Sequence, residues 1–386
     1  MGPRIPVSVP TVGPAEQRAV GEAIAGGWIA PAGPDLRRFE AALAERTGRA
    51  RAVAVASGTA ALHLQLLAAG VGPGDRAICP TLTFVATLNA ISQTGATPVL
   101  VDADDTGNLE PELVDAAFAH PARVGGPITA VLPVDVYGKV ADHDRLGAIA
   151  ARHGAQLLVD AAESLGATRA GRPAGSQGRA AAVSFNGNKI ITASAGGAVL
   201  TDDEELADRV LFLSTQARED VPHYLHREHG FNYRLSNVLA ALGLAQLGRL
   251  DEFLAARRAH RERYRALCER VPGLRILGGD DAGDNCWLTA LVLDSGIAAG
   301  ELGDELGRHG IETRRLFTPL HVQPLCADPS RFPRLVDGTA ERLFATTLVV
   351  PSSPASSPRE IDEVCDRIEM SLTGSRDRRR EGALTA

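Results

Sequence analysis

Apolar positions change period repeatedly between residues 50 and 215. RAVAVAS (51–57) is a short continuous apolar run, and GTAALHLQLLAAG (58–70) follows with helix-forming Ala and Leu and closes on Gly70. DRAICPT, TPVLVDAD, ITAVLPVDVYG and QLLVDAAE read as further strands, with FVATLNAISQTG and HDRLGAIAARHG as helices between them. Continuous apolar strands alternating with helices predict an α/β domain around a largely parallel sheet. A long helical zone rich in Ala, Leu, Arg and Glu runs from about Arg234 to Arg270, and VPG (271–273) ends it. Beyond it lie a strand, NCWLTALVLD, a helix near 298–309 and a final helix. That helix opens SPRE, with Ser357 as N-cap, Pro358 in the first turn and Glu360 completing a capping box. The pattern predicts a large domain over 1–250, N-terminal arm included, a smaller C-terminal α/β domain over 251–372, and a disordered tail over 373–386.

Composition narrows the partners. The chain has 386 residues, 45% of them hydrophobic, with 40 basic and 47 acidic side chains and a formal charge of -7. That balance argues against a nucleic-acid surface, which needs a basic stripe. The densest basic cluster, RDRRR (376–380), falls in the polar tail and reads as solvated. No apolar stretch approaches the ~20 residues of a membrane span. The proline-broken N-terminus does not read as a secretory signal, and Pro6 stands where a myristoylation signal wants Ser or Thr. Five scattered cysteines without a CxxC pair fit free thiols in a reducing cytoplasm.

Three motifs can carry chemistry. In SGTAAL (57–62) a strand gives way to a helix, so free N–H groups and the helix dipole create an anion site. Gly58 would let a phosphate approach the backbone and Thr59 would add a hydroxyl; an ordinary N-cap is the alternative. In VDAAE (159–163) Asp160 ends an apolar strand, where open α/β sheets place ligands. A carboxylate there needs a partner, such as a protonated ring nitrogen, or else serves as a cap or ion pair. In SFNGNKIITASAGGAVLT (184–201) a tight turn between two strands presents Lys189. Alone it reads as a surface turn, but lysines held in such places form Schiff bases with carbonyls. Pyridoxal phosphate needs a phosphate cup, an acid at its ring nitrogen and a Schiff-base lysine, and these motifs offer one each.

With the supporting stretches CPTLTFVATLNAI, GATPVLVD, VDVYGKVADHDRLGAIA, GFNYRLSNVLAALGLAQL and TPLHVQPL, the sequence resembles the DegT/DnrJ/EryC1/StrS aminotransferases from about residue 26 to 364. These are pyridoxal-phosphate enzymes of transferase fold type I, acting mostly on nucleotide-linked keto-sugars. WIAP, DAAES, GNK and FNYRLSN look most like the branch that aminates 4-keto-6-deoxy nucleotide sugars. The resemblance implies that Lys189 bonds the cofactor and moves protons, and that Asp160 holds the ring nitrogen. It implies Glu163 near the ring hydroxyl, Phe84 on the ring face, and Gly58, Thr59 and Ser184 at the phosphate. Asn232 would arrive from a second subunit, making the active site the property of a homodimer. Arg234 would approach phosphate and substrate, with His321, Arg314 and Trp28 as further substrate contacts. Many members carry Glu where this chain has Ala195, and dehydratase relatives replace the lysine. The implied reaction passes the amine of L-glutamate to a nucleotide-linked 4-keto-6-deoxyhexose. The alternatives are a 3-keto sugar nucleotide, a keto-cyclitol, or a non-catalytic regulator on the same scaffold. His223, His226 and His229 are spaced three apart, but no further ligand completes a zinc site, and they read as a polar loop.

Overall fold

The computed structural model describes residues 4–120, 124–279, 281–294 and 298–384, with side chains described to Thr373. In the large sheet the strands are β1 (Arg51–Val55), β2 (Arg76–Pro80), β3 (Thr97–Val101), β4 (Ala130–Val131), β5 (Gln156–Asp160), β8 (Ala180–Ser184) and β9 (Gly197–Thr201). Between them β6 (Thr168–Arg169) and β7 (Arg172–Pro173) make a separate hairpin. The small sheet contains β10 (Leu274–Ile276), β11 (Thr289–Leu293), β12 (Arg314–Arg315) and β14 (Thr347–Val350), while β13 (Arg334–Leu335) joins the large one. The large sheet runs β1-β9-β8-β5-β4-β2-β3-β13. From β8 to β13 it is parallel, and only β9 runs against its neighbours. The small sheet, β10-β11-β14-β12, is antiparallel throughout. The expected α/β architecture is therefore the one observed.

The expected strand ITAVLPVDVYG is shorter than its apolar run. Its ladder stops at Val131, because Pro133 has no N–H to give. A single bridge, Val134 to Asp160, keeps the chain beside β5 before it turns through Val136–Gly138. The long helical zone is two helices, Asn237–Leu247 and Leu250–Arg270, parted at Gly248. Its expected first residue, Arg234, is extended instead, and the helix starts where the Ser236 hydroxyl accepts the Leu239 N–H. The last helix starts as the SPRE motif predicts. The Ser357 N–H donates to Glu360 Oε2 at 2.7 Å, and the Glu360 N–H donates back to Ser357 Oγ at 3.3 Å. The segment expected as a disordered tail carries this helix on to Leu384, since its Arg, Glu, Ala and Leu are all good helix formers. Residues 385–386 lie outside the described residues.

The two sheets are not cleanly divided in sequence. Arg334 and Leu335 pair with Leu100 and Val101, so the stretch expected as one small domain from 251 to 372 contributes to both sheets. The N-terminal arm, grouped with the large domain, runs along the small one: Ile5 bridges Ile311, and the Ser352 N–H donates to Val7 O at 2.8 Å. One buried apolar cluster spans the junction and includes Val159, Phe185 and Ile190 from one side and Trp287, Ala290 and Val349 from the other.

The outer edge of β1 is closed by the segment that precedes the Asn237 helix. The Ala56 N–H donates to Tyr233 O at 2.7 Å, and the Arg234 guanidinium donates to Glu40 Oε1 at 2.6 Å and to Ala54 O at 2.8 Å. Glu40 also accepts the Ala54 N–H at 2.8 Å. Arg234 is thus a mostly buried clamp on an edge strand that would otherwise offer unpaired amides. Removing the guanidinium leaves Glu40 buried without its cation. Arg234→Met is expected to lower stability by about 3 kcal/mol, read as a shift of the urea midpoint at constant slope. An unchanged midpoint with a raised KM would instead return Arg234 to the substrate-binding role expected of it.

Candidate active site

A cleft of about 430 Å³ opens over the carboxyl ends of the parallel strands. It is built by the loops after β1, β2, β4, β5 and β8, with one wall supplied from the small sheet. This is where open α/β sheets gather ligands, because strand ends and helix starts converge there.

At its floor Asp160 terminates β5 and is 4% exposed. Thr87 donates its hydroxyl to Oδ2 at 2.8 Å and Ala162 its N–H to Oδ1 at 3.1 Å. Burial outweighs these bonds and the nearby Lys189 charge, and pushes the carboxyl up to about 6. A cationic ring N–H would supply what two neutral donors do not, so the residues present fit a pyridinium. On one side Ser57 caps the helix Gly58–Ala68, its hydroxyl accepting the Ala60 N–H at 3.0 Å. The earlier amides of that first turn are left over, as at any helix start. A Cβ on Gly58 would sit 2.8 Å from Ser184 Cβ, so only glycine lets the β8 end approach this turn. Gly58, Thr59 and Ser184 together form a cradle lined with donors, fit for a phosphate.

The Lys189 turn is rigid. The Lys189 N–H donates to Asn186 O at 3.0 Å, and the Ala193 N–H and Thr192 hydroxyl both reach Phe185 O. From it the amine meets Glu163 Oε1 at 3.1 Å. Glu163 Oε2 accepts the Tyr137 N–H at 2.8 Å. Tyr137 sits at φ +54, and its ring stacks on Phe317 with centroids 5.1 Å apart. Burial pushes its hydroxyl well above the usual phenol range, so it stays neutral; its oxygen accepts the Phe317 N–H at 3.1 Å. Asn285 binds the two halves of the site, donating to Glu163 O at 2.8 Å and to Leu165 O at 3.0 Å while accepting the Trp287 N–H at 2.8 Å. Next to it Gly138 stands at φ +93, where a Cβ would lie 1.9 Å from Asn285 Oδ1.

Gly58, Thr59, Phe84, Asp160, Glu163, Ser184, Lys189 and Arg314 all line this one cleft. Phe84 stands at its mouth, 57% exposed, tilted against Phe317. Arg314 lies at the small-sheet wall and is paired with Glu312 at 2.9 Å. Three expected substrate contacts are engaged elsewhere in the chain. Arg234 is the clamp on β1. His321 is buried between Thr81 Oγ1 and Glu341 Oε1, both at 2.7 Å, because the turn Leu320–Val322 folds it inward. Trp28 lines a separate cavity with Ala19, Glu22, Ala241 and Ala245. Asn237 holds the backbone there, its Nδ2 donating to Trp28 O at 2.9 Å while its Oδ1 accepts the Asp35 and Leu36 N–H groups at the start of the helix Pro34–Thr47. Asn232 is exposed and does not line the cleft of its own chain.

Thr87 and Trp287 escaped the sequence reading, and Tyr137, with its YGKV turn, reads there as structural. Thr87 lies one helical turn beyond Phe84 and Tyr137 follows a strand end, positions that could have marked them. Trp287 comes from far along the chain and carries no local signal.

A sequence profile of the DegT/DnrJ/EryC1/StrS aminotransferase family matches residues 10–369. EpsN of Bacillus subtilis, whose name assigns it provisionally as a pyridoxal phosphate-dependent aminotransferase, is 42% identical over 91% of this chain and 92% of its own. GDP-perosamine synthase of Caulobacter vibrioides is 38% identical over 96% of this chain and 99% of its own. Among solved structures, DesI in the presence of its TDP-sugar product superposes with a TM-score of 0.86 at 32% identity, covering 98% of this chain and 94% of that one.

The raised Asp160 carboxyl has a consequence for stability. From about pH 4 to about 6 the folded chain keeps a proton that the unfolded chain has released, so stability falls as pH rises through that window. In the cofactor-free protein, Asp160→Asn is expected to raise stability at pH 7.5 by on the order of 2–3 kcal/mol and to flatten the dependence between pH 4 and 6. Urea melts at both ends of the window read this directly, and an unchanged slope would mean that the carboxylate is already neutralised by a partner.

Proposed function

The chain belongs to the DegT/DnrJ/EryC1/StrS aminotransferase family, and from that premise we propose that this pyridoxal-phosphate-dependent aminotransferase moves the amine of L-glutamate onto the C4 carbonyl of a nucleotide-linked 4-keto-6-deoxyhexose. The observation that carries the reading is the convergence of an amine, a buried carboxylate and a helix start on one cleft: Lys189, Asp160 and the Gly58–Thr59 turn. Relatives named for a GDP-sugar and a TDP-sugar support a nucleotide-sugar acceptor.

Bound pyridoxal phosphate supplies a carbonyl that can exchange for an amine and a ring that draws electrons from the reacting carbon. The chain supplies the rest. Asp160 would hold a protonated ring nitrogen, and its burial would strengthen that pairing. Gly58, Thr59 and Ser184 would hold the phosphate, and Phe84 would lie against the ring. Glu163 orients the Lys189 amine at 3.1 Å, and Lys189 would be the residue that tethers the group and holds or moves a proton at its Nζ. Arg314, exposed at the small-sheet wall, is placed to meet a carboxylate or phosphate of the arriving substrate. Asn232 serves the cleft of a second copy. An exposed Asn232, with exposed Phe84 at the cleft mouth and exposed Tyr224 in the preceding loop, supports a homodimer closing over both sites. The free cysteines suit the cytoplasm, and no described helix is long and apolar enough to cross a membrane.

Holoenzyme mixed with L-glutamate alone is expected to release one equivalent of 2-oxoglutarate per chain, and Lys189→Ala none. A panel of nucleotide-linked 4-keto, 3-keto and keto-cyclitol acceptors then separates the substrate classes, with turnover expected for the 4-keto-6-deoxy sugar. Cofactor bound with no keto acid released would point to another amino-acid donor or to a non-catalytic regulator on the same scaffold. Shared sites predict complementation: inactive Lys189→Ala and Asn232→Ala chains, refolded together, regain about a quarter of wild-type activity, because half the dimers are mixed and each mixed dimer has one intact site. No recovery on mixing would place each site within one chain.

A further inference from the structure

Lys189 lines the cleft with its amine engaged twice. Its amine lies 4.3 Å from the centroid of the Trp287 ring while touching Glu163 on its other side at 3.1 Å. The indole is immobile. It is 2% exposed, and its Nε1–H donates to Asn188 O, the residue before the lysine, at 2.7 Å. Its backbone N–H is held by Asn285 Oδ1, and its carbonyl accepts from the buried Arg257. Its ring lies nearly parallel to Tyr137, 16° apart at 6.2 Å. The lysine is the movable partner, with four rotatable carbons between a fixed turn and this seat.

We infer that Trp287 is a positioning residue for Lys189, its indole face and the Glu163 carboxylate together forming the seat in which the ammonium rests whenever the amine is not bonded to cofactor. The inference rests on the reading of Lys189 as the reacting amine. An indole face attracts the ammonium and not the neutral amine, through the negative face of its π-system. The seat therefore holds the Lys189 amine in one place within the cleft, while the Nε1–H bond to Asn188 fixes how far the turn stands from the ring. Without the face, the amine would lose a restraint on its direction and would leave its seat more often, open to a reagent.

The chain is suited to a direct test, because it contains two lysines, Lys139 and Lys189, and two tryptophans. In cofactor-free Trp28→Phe protein, Trp287 is the remaining indole and can be replaced by mono-, di- and trifluorotryptophan. Each fluorine weakens the π-face and leaves the shape and the N–H in place. Acetylation of Lys189 by acetic anhydride, followed by mass spectrometry, is expected to quicken stepwise through the series, about three- to tenfold in all. Lys139, paired with Asp284 at 3.3 Å and Asp281 at 3.5 Å, is the internal reference. A flat series, or an equal rise at Lys139, overturns the inference: the indole would then be filler, or the fold would have loosened. Labelling needs neither cofactor nor substrate, so it fails independently of the glutamate half-reaction that tests the proposed function.

Discussion

A negative charge has to be kept at the bottom of a cleft where burial works against it. Asp160 ends a central strand of the large sheet, and burial pushes its carboxyl up to about 6 against the Thr87 hydroxyl, the Ala162 amide and the nearby Lys189 charge. The sheet exists in the form needed to hold that residue. Neighbouring strands β4 and β8 pack β5 on both sides, and apolar side chains cover both faces, so the carboxylate cannot retreat into water. What folding loses on Asp160 is recovered when a cation arrives opposite it, which makes the strain a source of affinity for a charged ring.

The second constraint is connection. The lysine turn belongs to the large sheet, and the aromatic wall facing it belongs to the small one. Asn285 joins them by side-chain bonds to Glu163 O, Leu165 O and the Trp287 N–H. The Gly138 turn has to pass so close to that amide that no side chain fits. A displacement of the small sheet would therefore be felt at Glu163 and Tyr137, and through them at the Lys189 amine. The site is positioned by a few buried polar bonds crossing an apolar junction, where low dielectric makes each one consequential.

Much of this was legible along the chain, and the reason is local. Asp160, Lys189 and the Gly58 turn each sit at a strand end flanked by a strong apolar run, so their surroundings could be read from a few neighbours. The SPRE cap was readable for the same reason, since its bonds close within four residues. What was missed depends on distant partners. Arg234 clamps Glu40 across 194 residues, and His321 is drawn inward by Thr81 across 240 and by Glu341 across 20. Trp287 reaches the lysine turn from nearly a hundred residues away. The break at Gly248 was hidden by excellent helix formers on both sides, which outweighed a single glycine in the pattern.

The return of Arg334–Leu335 to the large sheet bears on how the protein is made. Its partners Leu100 and Val101 leave the ribosome more than two hundred residues earlier. Until β13 emerges, β3 is an open parallel edge with unpaired amides, and until Trp287 and Phe317 emerge the aromatic wall is absent from the nascent chain. The cleft is thus completed late, by contacts of very long sequence separation, after a large loop has been closed. A half-made chain carries the lysine and the acid but not the wall that confines them, and its exposed edge is the surface on which chaperones, or neighbouring nascent copies, would first act.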